Sequence, residues 1–177
     1  MNINECIKKG WLRKDTINQN AIIQPSEELS KSYINKSKNS LESAKILPDN
    51  LKLEESVSLA YYSMYHILTA LLYKNGIKCE NHPASIILLK ELFKLDNSKM
   101  RFVKKERIDK QDYVDFKLTE KDVKDLIKIT EEFNASLYYF IESITFEEIK
   151  EYRNELKNIL QTNVDQDKWR QKCKRIK

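Results

Sequence analysis

The chain has 177 residues, with 32 Lys or Arg, 27 Asp or Glu, only 2 Gly and 3 Pro. That length suits one ordinary domain whose core needs neither disulfides nor metal. The scarcity of turn-formers excludes a sandwich or barrel of many short strands. Gly10 and Gly76 cannot write GxGxxG or GxxxxGK[ST], which excludes the glycine-rich phosphate cradles of dinucleotide and P-loop folds.

Charged residues make up 33% of the chain and the mean hydropathy is −0.64, with no apolar run of bilayer length. Met1 to Gly10 carries Glu5, Lys8 and Lys9 and no apolar signal core, so the expected location is the cytoplasm, away from membranes. Cys6, Cys79 and Cys173 are odd in number and far apart, and two histidines without HExxH supply no ligand set. No metal or other cofactor is expected. The net charge of +5 is uneven. Residues 161–177 hold six cations against two Asp, while the rest is nearly neutral apart from a basic cluster, Lys99 to Lys110.

Apolar residues recur at three and four positions, the helical period. Asn2 to Leu12 suits a short helix stopped near Gly10, and Lys14 to Gln24 a linker or docked arm. Pro25 and Ser26 open the first long helix, with Glu27 and Glu28 in its first turn and a stripe of Leu29, Tyr33, Leu41, Ala44 and Leu47. The second runs from Leu53 to Lys74. Val57, Tyr61, Met64, Leu68, Leu71 and Leu72 form one face, widened by Ala60, Ile67 and Ala70, which predicts a central position. Asn75 and Gly76 stop it. A third helix starts at Asn81, His82 and Pro83 and carries Ile86, Ile87, Leu89, Leu92 and Phe93. Asp96 to Lys117 reads as a long, partly helical connection. Thr119 with Asp122 opens the fourth long helix, which carries Val123, Leu126, Thr130, Phe133, Leu137, Phe140, Ile141 and Ile144. Thr145 to Glu148 signals a break and a new start, with a helix over Phe146 to Leu160. The basic tail is either a last short helix or disordered. The expected fold is all-α: an antiparallel up-and-down bundle of four main helices with extra short ones, divided into an arm (1–25), the bundle (26–160) and the tail (161–177).

The string Ala60-Tyr61-Tyr62-Ser63-Met64-Tyr65-His66, followed by Ala70-Leu71-Leu72, Gly76 and His82, resembles the HEPN domain family, in particular small prokaryotic members with an AYYAMFH-like helix. Arg107 with Asp112-Tyr113 looks like the R…DY element before that family's last long helix. The resemblance runs from about Glu27 to Ile144. It implies a helical bundle that homodimerises, RNA or a nucleotide as ligand, and a place in a two-gene toxin–antitoxin or defence system beside a small nucleotidyltransferase antitoxin. The family's ribonuclease activity goes with an Arg four to six residues before a His. Here the arginines are Arg13, Arg101, Arg107, Arg153, Arg170 and Arg175, the histidines are His66 and His82, and no pair has that spacing. Leu59 stands where relatives carry Arg before AYY, and Pro83 and Ala84 follow the second His where a small pair is usual.

The residues leave several chemistries open. His66 lies four places after Tyr62, on the same helix face. It reads first as a part-buried ring bonded to Tyr or backbone, and second as a general acid or base. His82 reads first as a cap beside Pro83, and second as an acid/base group near a phosphate. Tyr61, Tyr62, Tyr65 and Tyr73 are foremost packing and dimer residues, and secondarily stacking platforms for bases. Arg107, Asp112 and Tyr113 form either a structural ion pair or the lining of a site. In the tail, Lys168, Arg170, Lys172, Lys174 and Arg175 suit phosphate neutralisation or a solvated terminus equally. The leading expectation is thus an RNA- or nucleotide-associated interaction protein without the usual nuclease motif. The alternatives are a metal-independent endoribonuclease built from Tyr62, His66, His82 and Arg107, and a structural bundle that binds only protein.

Overall fold

The computed structural model describes residues 22–112 and 118–174, with side chains placed for 22–108 and 118–161. The expected short helix at Asn2–Leu12, most of the arm after it, and Tyr113 and Arg175 lie outside the described residues. Six α-helices follow in order: α1 (Glu27–Ile46), α2 (Leu53–Lys74), α3 (His82–Glu91), α4 (Ser98–Asp112), α5 (Glu120–Ser143) and α6 (Phe146–Lys174), with a 3-10 turn at Leu47–Asn50. The chain folds as an all-α bundle. No described helix is long and apolar enough to cross a membrane.

The starts are written locally. Ser26 caps α1 by accepting from the Leu29 N–H (3.2 Å), and Asn81 caps α3 by accepting from the Ala84 N–H (3.0 Å). Thr119 and Asp122 make a reciprocal capping box at α5. Thr145 and Glu148 repeat it at α6, where the Glu148 carboxylate accepts from the Thr145 N–H at 2.8 Å.

α2 is central. Twelve of its 22 residues are buried, including every apolar position named for it from the sequence, and α1, α3, α4 and α5 all pack on it. α1 runs antiparallel to α2: Glu27 pairs with Lys74 at one end (2.6 Å), and the Ser56 hydroxyl donates to the Ala44 carbonyl at the other (2.6 Å). Midway, the Ser37 and Ser63 hydroxyls each donate to the other's carbonyl at 2.8 Å. Asn134 of α5 reaches into this seam, donating to Ser63 Oγ (2.7 Å) and Ser37 Oγ (3.3 Å).

Here the structure corrects the sequence reading. The buried face of α1 is Ser30, Ile34, Ser37 and Ala44. Leu29 is exposed, and Tyr33 and Leu41 sit at the edge of the core. Small hydroxylated residues that bond to the facing backbone let the two helices approach closely, and a hydropathy pattern scores them as solvent-facing. Two further differences concern length. The segment after Asp96 forms a full helix, α4, held to the core by the buried Met100 and Val103. The last helix continues past Leu160 to Lys174, so the basic tail prolongs α6.

The C-terminal end of α2 is clasped. Gly76 adopts φ +64°, the left-handed conformation that ends a helix. The Ile23 N–H donates to the Gly76 carbonyl (2.8 Å), and Ile22 forms an antiparallel bridge with Ile77, so the end of the N-terminal arm is docked. Arg153 of α6 then donates from one nitrogen, Nη1, to the carbonyls of Ile23 (2.5 Å), Gly76 (3.2 Å) and Asn75 (3.3 Å). A Cβ at Gly76 would lie 2.5 Å from the Ile23 carbonyl oxygen and would collide with the Arg153 guanidinium. Gly76→Ala is therefore expected to cost about 3 kcal/mol, combining left-handed strain with overpacking. Urea unfolding followed by circular dichroism reads this as a lower midpoint. An unchanged midpoint would contradict the clasp.

Candidate functional site

One side of α2 carries the AYYSMYH string. Ala60, Tyr61 and Met64 face the core and Ser63 the α1 seam, which leaves Tyr62, Tyr65 and His66 half-buried on the remaining side. The N-terminus of α3 brings His82 against them, and α4 brings Lys104 and Arg107.

The Tyr65 ring stacks on the His82 ring at 3.6 Å, nearly parallel. The Tyr61 hydroxyl lies 2.8 Å from His82 Nδ1. Tyr61 is fully buried, and burial pushes its phenol well above the usual range, so it stays protonated. A buried O–H needs an acceptor. Donation to Nδ1 supplies one and assigns the ring proton of neutral His82 to Nε2. His82 is thus not the cap of α3, a task that Asn81 performs; its ring is clamped by two tyrosines.

Arg107 is held by rings. Its guanidinium sits 5.3 Å from the Tyr61 ring centre and 5.0 Å from that of Tyr62, and Nη2 donates to the Tyr62 hydroxyl at 3.3 Å. Its Nε is buried without a partner, and no described carboxylate pairs with it. The Tyr62 ring lies 6.4 Å from both His66 and His82. His66 Nδ1 is also buried without a partner. The four residues that the sequence singled out, Tyr62, His66, His82 and Arg107, therefore form one half-buried cluster.

Among the described residues no group of His, Cys, Asp and Glu is arranged to hold a metal. The partners proposed for Arg107 are not in view: Asp112 ends α4 without a described side chain, and Tyr113 lies outside the described residues. Lys168, Arg170, Lys172 and Lys174 fall on the last turns of the α6 backbone, where side chains are not described.

A family model described as the HEPN domain matches residues 30–138, more than half of the chain. The chain belongs to the HEPN domain family. A UPF0332 protein of Pyrococcus horikoshii is 43% identical over 60 residues, which cover 34% of this chain and 42% of that protein. The chain thus spans less than half the length of this relative. No solved structure matches. Membership supports a nucleotide- or RNA-associated role in general.

In this HEPN protein the electrostatics of the cluster are one-sided. Burial lowers the pKa of His82, and Lys104, Arg107 and His66 lower it further. Burial and then Lys36 do the same to His66. Burial and Arg107 also depress Lys104, the residue that sequence reasoning missed. Its signal was present, since Arg101, Lys104, Lys105 and Ile108 have helical spacing within a segment read as a connection. Cations unpaired among the described residues and neutral imidazoles, crowded on a half-buried rim, are what an incoming anion would relieve.

Both histidines bind a proton more tightly in the unfolded chain than in the folded one. Stability is therefore lost on acidification, starting near the ordinary imidazole pKa of 6.5 and growing until the folded pKa is reached. The thermal midpoint is expected to fall between about pH 7.5 and 5.5, and a His66→Gln/His82→Gln variant to flatten that slope. A midpoint that rises on acidification would show the rings to be stabilised as cations.

Proposed function

We propose that this HEPN protein binds RNA, or a nucleotide, through phosphate held at the Tyr62–His66–His82–Arg107 cluster. It does so as the HEPN component of a two-gene toxin–antitoxin or defence system, acting as a homodimer beside a small nucleotidyltransferase partner. The observation that carries the reading is Arg107. It is a half-buried guanidinium oriented by two tyrosine rings and unpaired with any described carboxylate. A protein seldom keeps such a charge part-desolvated without an anion to meet it. His82, with its proton on Nε2, adds a neutral donor for a phosphate oxygen. The Arg-x4–6-His spacing of the nucleases is missing from the sequence, so binding without cleavage is the leading reading.

A specific observation favours a second reading. His66, an imidazole held neutral on the same helix face as the Tyr62 that Arg107 bonds, has the protonation state that a base needs to take a 2′-hydroxyl proton. The 2′-oxygen would then close on phosphorus to form the cyclic phosphodiester, and the 5′-oxygen of the next nucleotide would leave with the proton returned by the imidazolium, directly or through water. One assay separates the readings: incubation of a labelled RNA pool with the protein in EDTA, with Arg107→Ala and His66→Ala/His82→Ala alongside. Binding without cleavage is expected, with Arg107→Ala weakening affinity by about tenfold, the loss of one charge-assisted contact. Cleavage that disappears in the folded double variant would replace this reading with the nuclease. Absence of any RNA shift would leave a protein-binding bundle. Light scattering is expected to give twice the 21.1 kDa chain mass; a monomer would remove the homodimer from the proposal.

A further inference from the structure

Beside the cluster, between α3 and α4, lies an open cleft of about 380 Å³. That volume is in the range of small-ligand sites. Its floor is apolar: Pro83, Ile86, Ile87 and Ile108. Its rim carries Lys90, Arg101, Lys104 and Lys105, with Glu91 the one carboxylate among the described lining residues. Lys90, Arg101 and Lys104 are in no ion pair among the described residues. Asn97, also in the wall, is committed to the Ile86 carbonyl (2.8 Å). Ile108 is one of the few large apolar side chains left exposed, at 40%.

The cleft and the cluster are neighbours. Pro83 follows His82, Ile108 follows Arg107, and Lys104 lines the cleft while its charge acts on His82. Lys104 and Lys105 lie three and four places after Arg101, Ile108 lies four and three places after them, and the four share a face of α4. An apolar floor under a cationic rim fits a flat group with apolar faces that is flanked by anions. A nucleotide unit of a strand has that chemistry: the base lies on the floor and the neighbouring phosphates meet the lysines and arginine.

We infer that the α3–α4 cleft is a nucleotide subsite. It seats one base of a single-stranded RNA on the isoleucine floor and hands the adjoining phosphodiester to Arg107 and His82. The inference rests on the RNA reading of the cluster and adds to it a place where the presence of a base is sensed. Seating a base against aliphatic side chains makes the subsite tolerant of base identity but intolerant of a missing base.

The test is fluorescence anisotropy of the full chain with labelled hexaribonucleotides, intact or with an abasic unit placed at each position in turn. Unlabelled UMP and AMP serve as competitors. The variants are Lys90→Gln/Arg101→Gln and Ile108→Asp, at exposed positions where folding is checked by circular dichroism, and Arg107→Ala as the cluster control. The charge variant is expected to lose about tenfold in affinity and to flatten the salt slope by about 1.4, the share of two single-strand phosphate contacts. An abasic unit at one position is expected to weaken wild-type binding several-fold and to have no further effect on Ile108→Asp. If RNA binds, Arg107→Ala weakens it, and both cleft variants bind like wild type, the subsite is overturned while the cluster reading stands. Charge loss without abasic sensitivity would reduce the cleft to a phosphate contact and overturn the base seat. A mononucleotide that competes as well as the hexamer would make a free nucleotide the occupant and overturn the strand path. No binding by wild type would remove the RNA reading and the subsite with it.

Discussion

A helix enclosed by four others has little surface to spare, and α2 is in that position. The demand that it serve three different surroundings at once governs the rest of the molecule. Its apolar face fills the core, its serines sit in the close seam with α1, and the strip left over carries Tyr62, Tyr65 and His66. Each surface fixes the rotation of the helix for the other two. The polar cluster is therefore placed by packing that takes no part in its chemistry, as a preorganised site requires.

The cluster also shows how aromatic rings hold a cation. A carboxylate beside Arg107 would lower its energy and remove its attraction for an external anion. The two tyrosine rings orient the guanidinium, and no described carboxylate compensates its charge. Tyr61 also holds His82 through its hydroxyl, together with the Tyr65 stack. Three tyrosines within five residues of α2 thus act as a frame for residues that arrive from α3 and α4.

Much of this was legible in the sequence. The helix period, the Ser, Asn and Thr caps, and the apolar face of α2 all appear where local rules place them, because each depends on residues within one or two turns. The joining of Tyr62, His66, His82 and Arg107 followed from family resemblance, since no local rule brings residue 107 to residue 62. What the sequence hid has physical causes. The seam of α1 was misplaced because Ser37 and Ser63 are buried by mutual hydrogen bonding, which hydropathy does not score. α4 was undervalued because its cations outnumber its two deeply buried anchors, Met100 and Val103. The clasp by Arg153 had no signal at all, because a side chain that binds carbonyls can meet them anywhere along the chain.

That clasp bears on how the protein comes into being. One guanidinium ties Ile23, Gly76 and itself, residues separated by as many as 130 positions. During synthesis the carbonyls at the end of α2 emerge 77 residues before Arg153 does. At typical rates of elongation that interval is on the order of 4–15 s. Through it the Gly76 carbonyl has the Ile23 N–H as its partner while the Ile23 carbonyl lacks the guanidinium, and the nascent bundle is held mainly by its α1–α2 seam. The ribosome thus carries a chain in which α1 and α2 can pair early but the arm gains its Arg153 fastening when α6 arrives.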